Sequence, residues 1–334
     1  MTDELKILRS LKDNLLVEKG VINNQHINIT ENLVKNCHLL TQPERYDALD
    51  EIRDLAKYLG NSNVGENKTE WLPYYQLYDA LCSLTYKITR SAEDEPKNDN
   101  TMRVGADYKS QGFWLADEEN AEELATHLKL LYELLPHKGK SFADGKMKRS
   151  VTQGYSVYDG VVNDNQLHVE ELPLKAIMHL DDYISKSDLI KDLSNSLGYK
   201  LKVCNVRVYR YFHSKIDDQI LPHHDGLPPS VFKIMAFNGD IQLKHGAFEV
   251  LKKRSRLIRR TKIFNPNKLL ESCVGFNPFI IVDSNRKLHR AKNPKLGLIR
   301  DSIELTLMPR LLDEALVTVG GCQSGTPLNP FLFI

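Results

Sequence analysis

The stretch LPHHDG sets His223 and Asp225 two residues apart. In extended backbone, positions i and i+2 project to the same side, so this imidazole and carboxylate can reach one metal ion together while His224 points away. In a chain with 11 histidines, a His-x-Asp spacing is easily met by chance. A distal histidine, His289, follows the apolar segment Phe279–Val282. Two imidazoles and one carboxylate fill three positions on one side of an octahedral iron and leave the other side open for chemistry. Farther on, Arg300 and Ser302 sit two apart in the strand-like run LIRDSIELTLM and so share a face. A planar guanidinium beside a hydroxyl suits a carboxylate, and burying the pair costs desolvation unless an anion meets it.

Two weaker candidates lie nearby. Lys233, a cation inside the apolar run VFKIMAF, could reach an organic carboxylate. Arg207, Tyr209 and Tyr211 alternate along one face just before the histidine pair, and Tyr209 could donate to the same carboxylate. The cation-dense run from Lys252 to Lys262 reads either as a solvated edge or as a site for an anionic substrate.

These residues need rigid elements to hold them. LKVCNVRVYRYF (201–212), VFKIMAF (231–237), FIIVD (279–283) and LIRDSIELTLM (298–308) are rich in β-branched and aromatic residues. Short strands joined by Gly, Pro and Asn loops predict a sandwich, jelly roll or barrel. The first 145 residues read mostly as helix. The spacing of Leu49, Ile52, Leu55 and Leu59 predicts a helix over 43–59 closed by Gly60, with others over about 74–89 and 117–135. Ser187 and Gly198 bracket a fourth as N-cap and C-terminal stop. SAEDEPKNDNT (91–101) reads as an exposed loop. The expected organisation is a helical region over 1–145, a β core over 146–312 and a tail over 313–334.

Forty-five basic against 44 acidic residues give a formal charge of +1, which argues against a broadly basic nucleic-acid binder. No apolar run approaches the roughly 18 residues that span a bilayer, and the start MTDELKILRS lacks a basic-then-apolar leader. A cytoplasmic protein with no membrane partner is expected. The five scattered cysteines, with no CxxC pair, predict free thiols rather than a disulfide framework or a zinc site. Nothing here fixes an oligomeric state.

The order His223-x-Asp225, His289, Arg300-x-Ser302 resembles the Fe(II)/2-oxoglutarate-dependent dioxygenases, and within them the phytanoyl-CoA dioxygenase-like group. HGAFEVL (245–251) is similar to that group's NGA-type turn and strand, although KKRSRLIRR replaces the Pro-Gly-Ser-His stretch that often follows it. The resemblance covers roughly residues 200–310. It implies an α+β fold with a double-stranded β-helix (jelly-roll) core and a helical N-terminal portion. His223, Asp225 and His289 would ligate Fe(II). Arg300 and Ser302, with Lys233 and Tyr209 as further candidates, would bind 2-oxoglutarate. O2 would be consumed, succinate and CO2 released, and a C–H bond of a small organic metabolite or natural-product intermediate hydroxylated. Related halogenases carry Gly or Ala where Asp225 stands, which favours a halide-free oxidation. Arg310 lies too far beyond Arg300 for the nucleic-acid demethylase branch. Two alternatives stay open: a carrier- or protein-linked substrate, and a cupin-like metal enzyme that does not use 2-oxoglutarate.

Overall fold

The computed structural model describes residues 1–18, 21–61, 68–90, 104–135, 150–152, 155–158, 166–169, 172–213, 222–225, 227, 230–252 and 270–317. The loop 91–101, the basic run beyond Lys252, Cys322 and the tail beyond Val317 lie outside the described residues.

Along the chain come helices α1 (Asp3–Leu16), α2 (Asn24–Asn36), α3 (Gln42–Asn61), α4 (Lys68–Thr89) and α5 (Val104–Gln111), strand β1 (Phe113–Leu115) and helix α6 (Glu118–Tyr132). A meander β2 (Ser150–Thr152), β3 (Tyr155–Tyr158) and β4 (Gln166–Val169) precedes α7 (Leu174–Lys186) and α8 (Asp188–Leu197). The core strands are β5 (Lys200–Phe212), β6 (Phe232–Phe237), β7 (Asp240–Ile241), β8 (Phe248–Leu251), β9 (Leu270–Ser272), β10 (Gly275–Phe276), β11 (Phe279–Val282), β12 (His289–Ala291) and β13 (Ile299–Arg310). The major sheet runs β1-β11-β6-β13-β5-β4-β3-β2, the minor sheet β12-β8-β9, and β10 pairs with β7. The described pairings within these sheets are antiparallel. This is the α+β, jelly-roll architecture: the inner faces of the two sheets share a core of Tyr209, Met235, Phe237, Phe248, Val250 and Ile280.

Strand alternation assigns each face its work. On the outer face, Val206, Val208, Ile234, Ile281, Ile303 and Leu305 pack on α5 to α8 through residues such as Tyr108, Leu128, Leu180 and Leu193. Each such side chain contributes about 1.5–3 kcal/mol by leaving water. On the inner face, Arg300, Ser302 and Glu304 of β13 align with Tyr211, Tyr209 and Arg207 of β5. A bulge follows, because Thr306 pairs with Asn205 and Leu307 with Val203, leaving Cys204 as the extra residue. The phase change keeps Val203 on the outer core and turns Cys204, with Met308, toward the helical cluster of Tyr78, Leu81 and Cys82. The minor sheet thus covers one end of the inner face and α1–α4 close the other. Tyr78 reinforces that closure by donating to the Pro309 carbonyl at 3.1 Å and to Glu314 at 2.8 Å, where Lys202 also pairs at 2.7 Å.

The structure departs from the sequence reading at several elements. α4 begins at Lys68 and carries Pro73 within it, a residue whose lost N–H and ring usually stop a helix. α1, α2, α5 and α7 are further helices of this half and of the region before β5; α1 buries the stripe Leu5, Leu8, Leu11 and Leu15, and Asn23 caps α2 by accepting from Gln25 and His26 N–H. The region expected to be helical also supplies β1, the edge strand that pairs with β11. Ser187 occupies the N-cap of α8, but its hydroxyl makes no capping hydrogen bond; Gly198 closes the helix in the left-handed region at φ +83°. Cys37, Cys82, Cys204 and Cys273 are buried free thiols. Among the described residues, no helix is long and apolar enough to cross a membrane.

Candidate metal and carboxylate site

His223 and His289 meet through an antiparallel bridge outside the sheets, with His223 N–H donating to the His289 carbonyl at 2.9 Å and the reverse bond at 3.1 Å. The turn after β11 fastens the rest of the ligand loop. Asp225 N–H donates to the Ser284 carbonyl at 2.8 Å. Asn285 accepts from Leu227 N–H at 2.8 Å and donates to the Val231 carbonyl at 3.0 Å. Asp283 holds the turn itself by accepting from Arg286 N–H at 3.2 Å. The polar cluster DSN is therefore the clamp on the His223–Asp225 loop, and its Asx-turn composition is the signal that marks it in the sequence.

The ligand atoms of His223, Asp225 and His289 lie within 4.8 Å of one another, the one such group found among the described residues. Asp225 Oδ1 is 3.8 Å from His223 Nε2 and 3.6 Å from His289 Nε2. His289 Nδ1 lies 3.0 Å from the Lys287 carbonyl, which suits Nδ1–H as donor and frees Nε2 toward the centre. Phe248 stacks on the His289 ring with centroids 5.4 Å apart. The side chain of His289 is 6% exposed and that of His223 55%, so the centre is open on the His223 side.

Asp225 does not stand alone. Its Oδ2 lies 2.9 Å from Lys233 Nζ, which is also 3.2 Å from Glu304 Oε1. Arg207 approaches Glu304 at 3.9 Å and the Tyr209 hydroxyl donates to it at 3.3 Å. Burial alone would raise the Asp225 carboxyl, but the facing His289 ring and the Lys233 ammonium outweigh it and hold the carboxyl well below the usual range. Burial opposes the charge of Lys233 too, and the Glu304 and Asp225 carboxylates outweigh it, raising the ammonium. The sequence reading gave Lys233 and Tyr209 to a cosubstrate carboxylate. The structure sets both against carboxylates of the protein, Lys233 between Asp225 and Glu304 and Tyr209 on Glu304, because register brings β6 and β5 to either side of Glu304. Glu304 continues the period-two face of Arg300 and Ser302, and that spacing is the signal that marks it in the sequence.

Arg300 and Ser302, 1% and 0% exposed, lie on the same inner face. Arg300 Nη1 donates to the Lys292 carbonyl at 3.0 Å and lies 3.5 Å from that of His245. Its guanidinium sits over the Tyr211 ring at 4.4 Å and near Phe237 at 5.8 Å. Nε and Nη2 of Arg300 and Oγ of Ser302 are buried without a hydrogen-bond partner among the described residues. Burial pushes the guanidinium down from its ordinary value. Gly246, at φ +73°, allows the close approach of backbone here, since a Cβ would collide with the Lys292 carbonyl that accepts from Arg300. Two other arginines are similarly buried and each has a carboxylate: Arg210 meets Asp301 at 2.6 Å and Arg290 meets Glu249 at 2.6 Å. Each orphaned donor costs about 1–3 kcal/mol, which an arriving carboxylate would offset.

No family model matches the chain, and no curated protein matches it. Solved structures do. One is the non-haem α-ketoglutarate-dependent epimerase SnoN from nogalamycin biosynthesis, at 15% identity over 68% of this chain and 97% of that one, with a TM-score of 0.39. Another is EctD from S. alaskensis with 2-oxoglutarate and 5-hydroxyectoine, at 15% identity over 72% and 86%, with a TM-score of 0.43. A third is an oxidoreductase of the 2OG-Fe(II) oxygenase family from Burkholderia pseudomallei, at 12% identity over 64% and 92%, with a TM-score of 0.38. The chain is thus similar, at low identity, to structures whose descriptions name α-ketoglutarate, 2-oxoglutarate or the 2OG-Fe(II) oxygenase family.

Proposed function

We propose that the protein is an Fe(II)/2-oxoglutarate-dependent oxygenase that hydroxylates a C–H bond of a small organic molecule, with release of succinate and CO2. The observation that carries this reading is the buried guanidinium of Arg300, which meets no carboxylate among the described residues, beside the Ser302 hydroxyl, which has no hydrogen-bond partner among them, on the sheet face that also bears the triad's surroundings. A structural arginine would have its anion in the protein, as Arg210 and Arg290 do. The same observation favours this reading over a cupin-like enzyme, which would have no use for an open anion cradle.

The donor set fits Fe(II): two neutral imidazoles and one carboxylate suit a mid-series divalent metal with open positions. Iron bound there would supply the O2 chemistry, coupled to oxidative decarboxylation of 2-oxoglutarate. The protein's own part is orientation and exclusion. Arg300 would hold the distal carboxylate of the cosubstrate through its planar fork, with Ser302 as a further donor. Tyr211 and Phe237 keep water from that end, which strengthens the ion pair. The exposed edge at His223 is the side from which substrate would enter. A small molecule remains the proposed substrate and the cytoplasm the proposed location. The test is anaerobic loading with Fe(II), then exposure to O2 with 2-oxoglutarate and a panel of metabolites. Substrate-stimulated succinate formation supports the reading, and turnover indifferent to 2-oxoglutarate refutes it.

A further inference from the structure

We infer that Lys233 is a positioning residue for the metal ligand Asp225, holding Oδ2 so that only Oδ1 is turned to the metal. The inference rests on reading the triad as a metal centre. Three observations carry it. Oδ1 faces the Nε2 atoms of both histidines at 3.8 and 3.6 Å, while Oδ2 lies 2.9 Å from Lys233 Nζ. Lys233 is fixed from behind by Glu304 at 3.2 Å, and Glu304 is held in turn by Tyr209 and Arg207. The ammonium comes from β6 and the carboxylate that anchors it from β13, adjacent strands of one sheet. A loop-borne ligand is thereby referenced to rigid strands rather than to its own loop.

A carboxylate free to rotate can offer a metal one oxygen or both. With Oδ2 committed to an ammonium, the second coordination position it could take stays available for other groups. Outer partners of this kind typically change metal affinity or activity by 10–100-fold when removed. The competing explanation is that Lys233 serves only to neutralise buried Glu304, with Asp225 incidental.

The two are separated by anaerobic binding of Co(II), whose visible d–d absorption reports coordination number and geometry, to the full chain. Lys233→Met should bind Co(II) about 10–100-fold more weakly, with an altered spectrum. Lys233→Arg, which keeps a cation in reach of both carboxylates, should restore the wild-type spectrum. The double variant Lys233→Met with Glu304→Gln strands no Glu304 charge and should remain as weak and as altered as Lys233→Met. If Lys233→Met does not fold, the double variant decides alone. Wild-type affinity and spectrum in Lys233→Met or in the double variant overturn the inference, the double variant by showing that only Glu304 needed the cation. Failure of the wild-type chain to bind Co(II) at all overturns the metal-centre reading and this inference with it, a result distinct from equal binding by wild type and variant.

Discussion

The inner face of the major sheet carries two buried polar regions a few residues apart on β13, and they are built on opposite principles. Around Glu304, charges are closed within the protein: Lys233 between two carboxylates, Arg207 and Tyr209 completing the set. Around Arg300 and Ser302, three buried donors have no partner among the described residues. Both arrangements bear the desolvation cost of burying polar groups. The closed region recovers it on folding, and so behaves as a frame. The open one would recover it only if an anion arrived, which is the behaviour proposed for a binding site. Buried polarity by itself distinguishes nothing; whether the partner is inside the chain does.

The largest effects should come from the centre that both regions flank. His223→Ala, Asp225→Ala and His289→Ala are each expected to reduce turnover to background while the apoprotein keeps its fold by circular dichroism, because three ligands leave no redundancy. Near wild-type activity in two of the three would remove the triad from the account. The open region comes next. Arg300→Ala should raise the KM for 2-oxoglutarate about 30-fold or more, the counterpart of roughly 2–5 kcal/mol for an unpaired buried charge. Arg300→Lys keeps the charge but loses the fork, so its KM should fall between wild type and Arg300→Ala. Ser302→Ala removes one donor and should cost about 1.5 kcal/mol, roughly tenfold in the same KM, with kcat little changed.

Asp79 of α4 sharpens the comparison with a smaller effect. It is a half-buried carboxyl whose hydrogen-bond partner among the described residues is the Ser230 hydroxyl, and loss of water around it pushes it up to about 7. A folded-state pKa above the ordinary carboxylate value means the native state holds a proton that the unfolded chain releases. Stability from this group is therefore complete below about pH 4 and is lost as pH rises through about 7. Asp79→Asn should raise the melting temperature at pH 8 and leave it unchanged at pH 4. An unaltered difference between the two pH values would show that Asp79 is not buried as a neutral acid.

Much of this was legible before any coordinates. Period-two alternation puts His223 with Asp225, and Arg300 with Ser302, on one face each, and the fold brings His289 to the first pair, with ligand atoms within 4.8 Å. The long strands β5 and β13 declare themselves by β-branched and aromatic content. What could not be read is what depends on register between strands far apart in sequence. Lys233 looks like a stray cation until β6 is laid beside β13 and Glu304 appears next to it. Gly246 is one glycine among 18 until Lys292 is seen against it. The bulge at Cys204, which divides the sheet's inner face between site and helices, has no local signature at all.

The central claim is that the open cradle reads the distal carboxylate of a 2-oxo acid chelated at the triad. It is tested most directly by anaerobic titration of the Fe(II)-loaded protein with 2-oxoglutarate and with 2-oxobutyrate, which offers the metal the same chelating end but no distal carboxylate. The visible charge-transfer band reports binding of each. Wild type should bind 2-oxoglutarate about 30-fold or more tightly than 2-oxobutyrate, and Arg300→Ala should abolish most of that preference. Equal affinity for the two acids in wild type, or a preference that survives Arg300→Ala, would contradict the account.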